Sequence, residues 1–214
     1  MAEKKTYAEG CLAAHALDLI GDRWALLVVR ELMLGPKRFG LIRAGLPGIA
    51  TNMLARRLED LEAAGLLTHR SLPPPASVAA YELTDHGHAL RPLLLELCRW
   101  GVGVPGHDPR LPISPTALML SMQAMIRPAP GAFTAGFELS AESFVVTVED
   151  AQIETRRGNP AAAEMSFSGH PNDMAAAVYG SVPLAQVVAG GRIGFAGDPA
   201  RGQAFVNLFR LARP

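Results

Sequence analysis

Residues 48–67 read GIATNMLARRLEDLEAAGLL, and their side chains fall into two sets on one helix. Asn52 and Arg56 stand four residues apart, and these are the residue types able to make paired hydrogen bonds to adenine and guanine edges. Leu54, Leu58 and Leu61 repeat at the spacing of a buried helix face. That face turns Asn52 and Arg56 away from the core and puts Arg57 on its shoulder. Thr51 is placed to cap the start, and Gly65 to end the helix in a left-handed conformation. The acids Glu59, Asp60 and Glu62 all follow the arginines, the reverse of the order a helix macrodipole favours. An ordinary solvated helix carries that order at a small electrostatic cost. A helix whose first turns face a polyanion carries it at none.

Charge elsewhere bears on the choice. The 214-residue chain has a formal net charge of zero, so it is not coated in positive potential. Between Leu32 and Leu58, however, stand Lys37, Arg38, Arg43, Arg56 and Arg57 with no acid among them. Such a window serves phosphate binding without moving the overall balance. Apolar residues make up 49% and charged residues 19%, which supports a packed core and argues against global disorder. MAEKKTYAEG has no apolar segment of the secretory kind, and WALLVVRELML is too short for a bilayer and carries Arg30 and Glu31. A soluble, cytoplasmic protein is expected. Two distant cysteines, Cys11 and Cys98, indicate neither a zinc site nor a disulfide scaffold.

These side chains need elements to hold them. CLAAHALDLIG predicts a first helix, and DRWALLVVRELMLG a second, closed by Gly35-Pro36, with Trp24, Leu26, Leu27 and Phe39 as core. KRFGLIRAGL predicts a short third helix stopped by Pro47-Gly48, and the quoted stretch is the fourth. LLTHRSL and SVAAYEL are strands flanking a Pro73-Pro74-Pro75-Ala76 tip. Thr84 or Asp85 then caps a single helix, HALRPLLLELCRWG, with Trp100 packed at its end. The order helix, helix, short helix, helix, β-ribbon, helix is that of a winged helix-turn-helix, with the quoted stretch as recognition helix. In that setting Thr51, Asn52 and Arg56 meet the groove and Arg57 lies close to the backbone. Lys37 and Arg38 offer charge and helix N–H groups to a phosphate, while His69 and Arg70 run up the wing. For Lys37 and Arg38 the plain alternative is a solvated helix start.

The same residues resemble the HxlR-type winged helix-turn-helix regulators over about residues 10–103. GPKRFGLIRAGLPGIATNMLARRLEDLEAAGLL follows that family's G-x-x-R-F-x-x-L and I-x-x-x-x-L-x-x-R-L-x-x-L-x-x-x-G-L pattern almost throughout. YELTDHGHAL, RWG, Cys11 and the Gly21-Asp22-Arg23-Trp24 stretch match further motifs in order. The family's proline after the N-terminal cysteine is replaced by Leu12, a departure that bears on the redox sensing the cysteine implies. Read from its own neighbours, Cys11 has only His15 one turn away, which points to a buried structural thiol; Cys98 lies in an apolar helix.

After Gly101 the texture changes. A Gly/Pro-rich linker, residues 104–116, separates a DNA-binding domain (1–103) from a second domain (117–214). The second domain opens with a helix, TALMLSMQAMI. FTAGFEL, SFVVTVED, AQIETRRG and AEMSFSG then read as a four-stranded meander, before PNDMAAAVYG, PLAQVVAGG, a strand RIGFAG and a last helix. It resembles sterol carrier protein-like domains, in which a small sheet and helices enclose an apolar tunnel. There a strand ending in G-[DN] feeds the final helix, matched by Gly197-Asp198. The fold class is therefore α+β. Met119, Met122, Met125, Phe133, Phe137, Phe144, Phe167, Met174, Val178, Tyr179 and Phe205 are expected to line a cavity for a small apolar effector, or else simply to fill a core.

His86 and His88 sit at i, i+2 and do not share a helix face, so no metal site is expected, nor any cofactor. AGGRIGFAG is a turn signal and lacks the phosphate-loop pattern, and no catalytic motif appears. A non-enzymatic regulator is expected, a homodimer held by Leu93–Trp100 and the first helix, on a palindromic double-stranded operator. A second domain serving only dimerisation or as a carrier is the rival, as is a lipid-transfer fold with vestigial DNA binding.

Overall fold

The computed structural model describes residues 6–71, 79–128, 131–150 and 152–211. The chain forms two compact units, Met1–Leu94 and Leu95–Pro214, which part inside a helix, ahead of the Gly/Pro-rich segment. The proline tip at 73–76 lies outside the described residues.

The first unit begins with α1 (Leu12–Ile20), α2 (Ala25–Leu32), α3 (Phe39–Ala44) and α4 (Thr51–Ala63). The ribbon β1 (Leu67–Ser71) and β2 (Ala79–Leu83) follows, paired antiparallel with Leu67 opposite Leu83. α5 (Asp85–His88) and α6 (Arg91–Val102) come next. Leu54, Leu58 and Leu61 are buried where α4 packs on α2 and β1, as their spacing requires. On α2 the inward face is Ala25, Val28, Val29 and Leu32. That i, i+3, i+4, i+7 set leaves Leu27 exposed and Trp24 and Leu26 half-buried, so the expectation of core is wrong for Leu27. Phe39 is half-buried as well.

Two helix boundaries also differ from expectation. Ala50, not Thr51, is the N-cap of α4, and no side chain caps it. Thr51 is already helical because the turn from Leu46 leaves Ala50 as the last extended residue. The helix expected from Thr84 onward is two helices. Thr84 does cap α5, accepting from the Gly87 amide at 3.2 Å. A continuous helix would drive the Pro92 ring against the His88 carbonyl, so the chain breaks and Pro92 sits in the first turn of α6.

The second unit contains α7 (Pro115–Met125), β3 (Phe133–Leu139), β4 (Glu142–Glu149), β5 (Gln152–Arg157), β6 (Met165–Gly169), α8 (Pro171–Tyr179), α9 (Leu184–Ala189), β7 (Ile193–Ala196) and α10 (Pro199–Val206). The sheet order is β5-β4-β3-β6-β7. Only β3, β4 and β5 form a meander; β6 pairs parallel to β3, which corrects the four-stranded meander. The reason is the crossover before β6. Its 3₁₀ turn, Pro160–Ala162, lies on the sheet at Gly136, where a Cβ would stand 2.3 Å from the Pro160 carbonyl oxygen. Glycine there admits the crossing. Asp198 caps α10, accepting from the Ala200 and Arg201 amides at 2.7 and 2.9 Å. The segment before α7 is fastened to α8: Asn172 donates to the Leu111 carbonyl at 2.7 Å and accepts from the Ile113 amide at 3.2 Å.

Candidate nucleic-acid interface

The surface of α4 opposite its leucines carries Thr51, Asn52 and Arg56, all exposed. Asn52 Oδ1 accepts from the Met53 amide at 2.9 Å. Arg38, the N-cap of α3, is exposed, and so is Arg43 in the last turn of that helix. Arg43 belongs to the base-only window but is absent from the expected contact set; its place in that window is the signal that could have added it. A polar, cation-bearing surface across α3 and the start of α4 suits phosphate positioning and base-edge contact together.

Two of the window's five cations are not on that surface. Lys37, expected to meet a phosphate, is 1% exposed, and its Nζ donates to Glu31 Oε2 at 2.7 Å. Its backbone is drawn in as well: the Lys37 amide donates to the Tyr81 carbonyl at 3.0 Å and its carbonyl accepts from the Tyr81 amide at 2.9 Å. A main chain tied to β2 on both sides directs the side chain inward. Arg57, expected close to the DNA backbone, is 7% exposed. It bonds Asp22 in the turn between α1 and α2, and Asp60 one turn along α4 at 3.1 Å. Arg57 thus stitches α4 to that turn. Both expectations are corrected for one reason: each cation is drawn inward by carboxylates on neighbouring segments, which takes it off the surface a phosphate would meet.

The wing carries His69 and Arg70, both exposed. The His69 ring lies 4.8 Å from that of Tyr81, and Arg70 pairs with Glu82 across the ribbon at 2.8 Å. Burial, with Glu62 and Glu59 nearby, holds the Tyr81 phenol above its ordinary pKa.

Cys11 departs from the expected buried thiol. It is exposed at the N-cap of α1, and the backbone amides of Ala14 and Ala13 hold its thiol below the ordinary pKa. Cys98 is half-buried, and Trp100, expected to pack, is 71% exposed. With Leu93 and Leu97, which are also exposed, it makes an apolar stripe along α6 at i, i+4, i+7.

The residues expected to line a cavity in the second unit are interior, and Tyr179, half-buried overall, directs its hydroxyl to Ser121 at 2.7 Å. Burial pushes the Tyr179 phenol well above its ordinary range. Phe137 stacks on Phe167 at 5.1 Å, and Phe205 of α10 touches Phe133, Phe137 and Phe167 at ring distances of 5.8–6.1 Å. Phe144 instead lies under the Arg157 guanidinium, which bonds the buried Glu142. Among the described residues no group of three or more His, Cys, Asp or Glu is arranged to hold a metal, and no helix is long and apolar enough to cross a membrane.

Residues 19–107 match the HxlR-like helix-turn-helix family. The chain is 38% identical over 85 residues to an uncharacterised HTH-type transcriptional regulator, YvaP, of Bacillus subtilis strain 168. That match covers 40% of this chain and 79% of the relative. The HTH-type transcriptional regulator YodB of the same organism is 39% identical over 85 residues, covering 40% of this chain and 76% of YodB. The reduced form of B. subtilis YodB, as a solved structure, is 35% identical with a TM-score of 0.41, over 46% of this chain and all of that one. The family match ends at residue 107 and speaks for the first unit. The motifs of residues 35–66 and these relatives together show that the chain belongs to the HxlR-like helix-turn-helix family of transcriptional regulators.

Proposed function

We infer that this regulator binds a palindromic operator as a homodimer in the cytoplasm. Its reading surface is Thr51, Asn52 and Arg56, with Arg38 and the wing's His69 and Arg70 against the phosphates. One observation carries the reading: every polar residue expected at the groove end of α4 is exposed, while the leucines of the same helix are buried. The apolar stripe Leu93, Leu97 and Trp100 supports self-association through α6, together with Leu12 and Leu17, which are exposed on α1. The test is to select duplexes from a random pool with the full chain and titrate the winner against salt. A log–log slope of several units supports the reading. A slope near zero contradicts it, and light scattering giving a monomer at micromolar concentration contradicts the dimer.

The second unit is read as a sterol carrier protein-like module that takes a small apolar effector. Its helix-covered sheet and the Gly197-Asp198 entry to α10 support that reading. The ring packing around Phe205 favours a second reading, a dimerisation or carrier module without effector response. A thermal-shift screen of apolar and aromatic compounds, followed by operator titration with any hit, separates them. A true effector and the operator must change each other's affinity by the same factor. Cys11 enters as a redox-responsive thiol, favoured by its exposure and by the two amides that lower its pKa. Alkylation of Cys11 with a pH midpoint at or above that of a free thiol would sink that role.

A further inference from the structure

The carboxylate of Glu31 sits at a junction of four segments. It is fully buried on α2 and receives Lys37 Nζ on Oε2 at 2.7 Å. Arg30 donates to Oε1 through Nε at 3.1 Å and Nη2 at 2.8 Å. The same Nη2 donates to the Gly45 carbonyl, 3.2 Å away, at the start of the turn that leads into α4. Gly45 is itself shaped to the carboxylate: a Cβ there would stand 2.2 Å from Glu31 Oε2. Lys37 adds the wing through its paired backbone bonds with Tyr81. One buried charge therefore touches α2, the entry to α3 and the turn before α4, and reaches β2 through the Lys37 backbone.

We propose that Glu31 and Lys37 are positioning residues for DNA reading. Their buried ion pair fixes the turn before the recognition helix relative to the wing, without touching DNA. A hydrophobic filling would pack the same space, but apolar contacts are non-directional and tolerate sliding. A buried carboxylate gripping two cations admits few arrangements, because each loosened bond leaves a charge unpaired in a low-dielectric interior. The geometry so held is the offset between the first turn of α4, which carries Asn52 and Arg56, and the wing, which carries His69 and Arg70. This inference rests on the DNA-reading assignment above and adds residues that no base or phosphate contact would reveal.

The test compares the full-length parent with Lys37→Met, with the double variant Glu31→Gln/Lys37→Met, and with Arg38→Ala. The double variant removes both charges while glutamine keeps an acceptor for Arg30. It is expected to unfold at a higher urea concentration than Lys37→Met, in which the buried carboxylate keeps Arg30 on Oε1 but loses the lysine charge that faced Oε2. In the double variant the amides of Leu46, Ile49 and Tyr81 should exchange faster than in the parent, with α7 and the sheet of the second unit unchanged. Its preference for the selected duplex over a random one should fall about 5- to 150-fold, the worth of one bidentate base contact. Its salt slope should equal the parent's, whereas Arg38→Ala lowers the slope by about one unit.

Parental exchange together with parental preference in the double variant overturns the proposal. So does a slope lowered as in Arg38→Ala, since Lys37 would then be reaching a phosphate. If the parent itself prefers no duplex, the DNA-reading assignment fails separately. The exchange of Leu46, Ile49 and Tyr81 then decides alone whether the pair holds the turn to the wing.

Discussion

The two units use buried polarity in opposite ways. In the first, ion pairs join the elements of the helix-turn-helix: Lys37 on the buried Glu31 beside the turn before α4, and the buried Arg57 of α4 on Asp22 and Asp60. In the second, the centre is the ring cluster around Phe205, and the Glu142–Arg157 pair joins β4 to β5. Directional bonds fix a geometry, while rings stacked at van der Waals distance fill a volume. A reading head needs the first, because base contacts fail when a helix is misplaced. A core needs the second.

The largest expected effect belongs to the second unit. If Phe205 fills a core among Phe133, Phe137 and Phe167, Phe205→Ala costs about 3–5 kcal/mol of that unit's stability in urea unfolding. A loss well under 1 kcal/mol would mean that its ring already borders open space, and the comparison would move toward a ligand cavity. Next comes Arg57→Ala, expected to cost about 1.5–3 kcal/mol of stability, the range for hydrogen bonds to charged groups. Its salt slope for duplex binding should stay at the parental value. A slope lowered by one unit with stability unchanged would return Arg57 to the DNA backbone and break the contrast between inner and outer cations.

Tyr179 sharpens the second unit's side through pH. Its folded pKa is raised by burial, so its contribution is fully present below the ordinary tyrosine pKa, about 10, and is lost as pH rises above it. From pH 10 upward the parent should lose about 1.4 kcal/mol per pH unit more than Tyr179→Phe does, by denaturant unfolding at each pH. Parallel pH profiles for the two proteins would show that the phenol is open to solvent.

How much of this was legible follows the same division. The leucine period of α4, the Thr84 cap, the ribbon and the order of elements were readable, because periodicity reports which face is buried. Lys37 and Arg57 were not. A cation's spacing says which way it points but not whether a carboxylate awaits it, and the partners Glu31 and Asp22 lie on another helix and in a distant turn. The return of β6 to β3 was hidden as well, since alternation marks a strand without naming its neighbour. Arg43 was visible in the base-only window, and only its exposure puts it beside Arg38 as a candidate contact. Cavity-lining and core-filling phenylalanines have the same sequence signature, so that question passed to the ring distances.

The central claim is that α4 reads DNA through its exposed first turns, and Arg56→Ala tests it most directly. Parent and variant are titrated by gel shift, at one fixed salt concentration, on a duplex selected from a random pool by the parent and on its single-base variants. The account predicts a loss of about 1–3 kcal/mol in affinity for the selected duplex, with relaxed preference at the bases that Arg56 meets. Affinity and preference both equal to the parent's would contradict it, and α4 would no longer be the helix that reads the sequence.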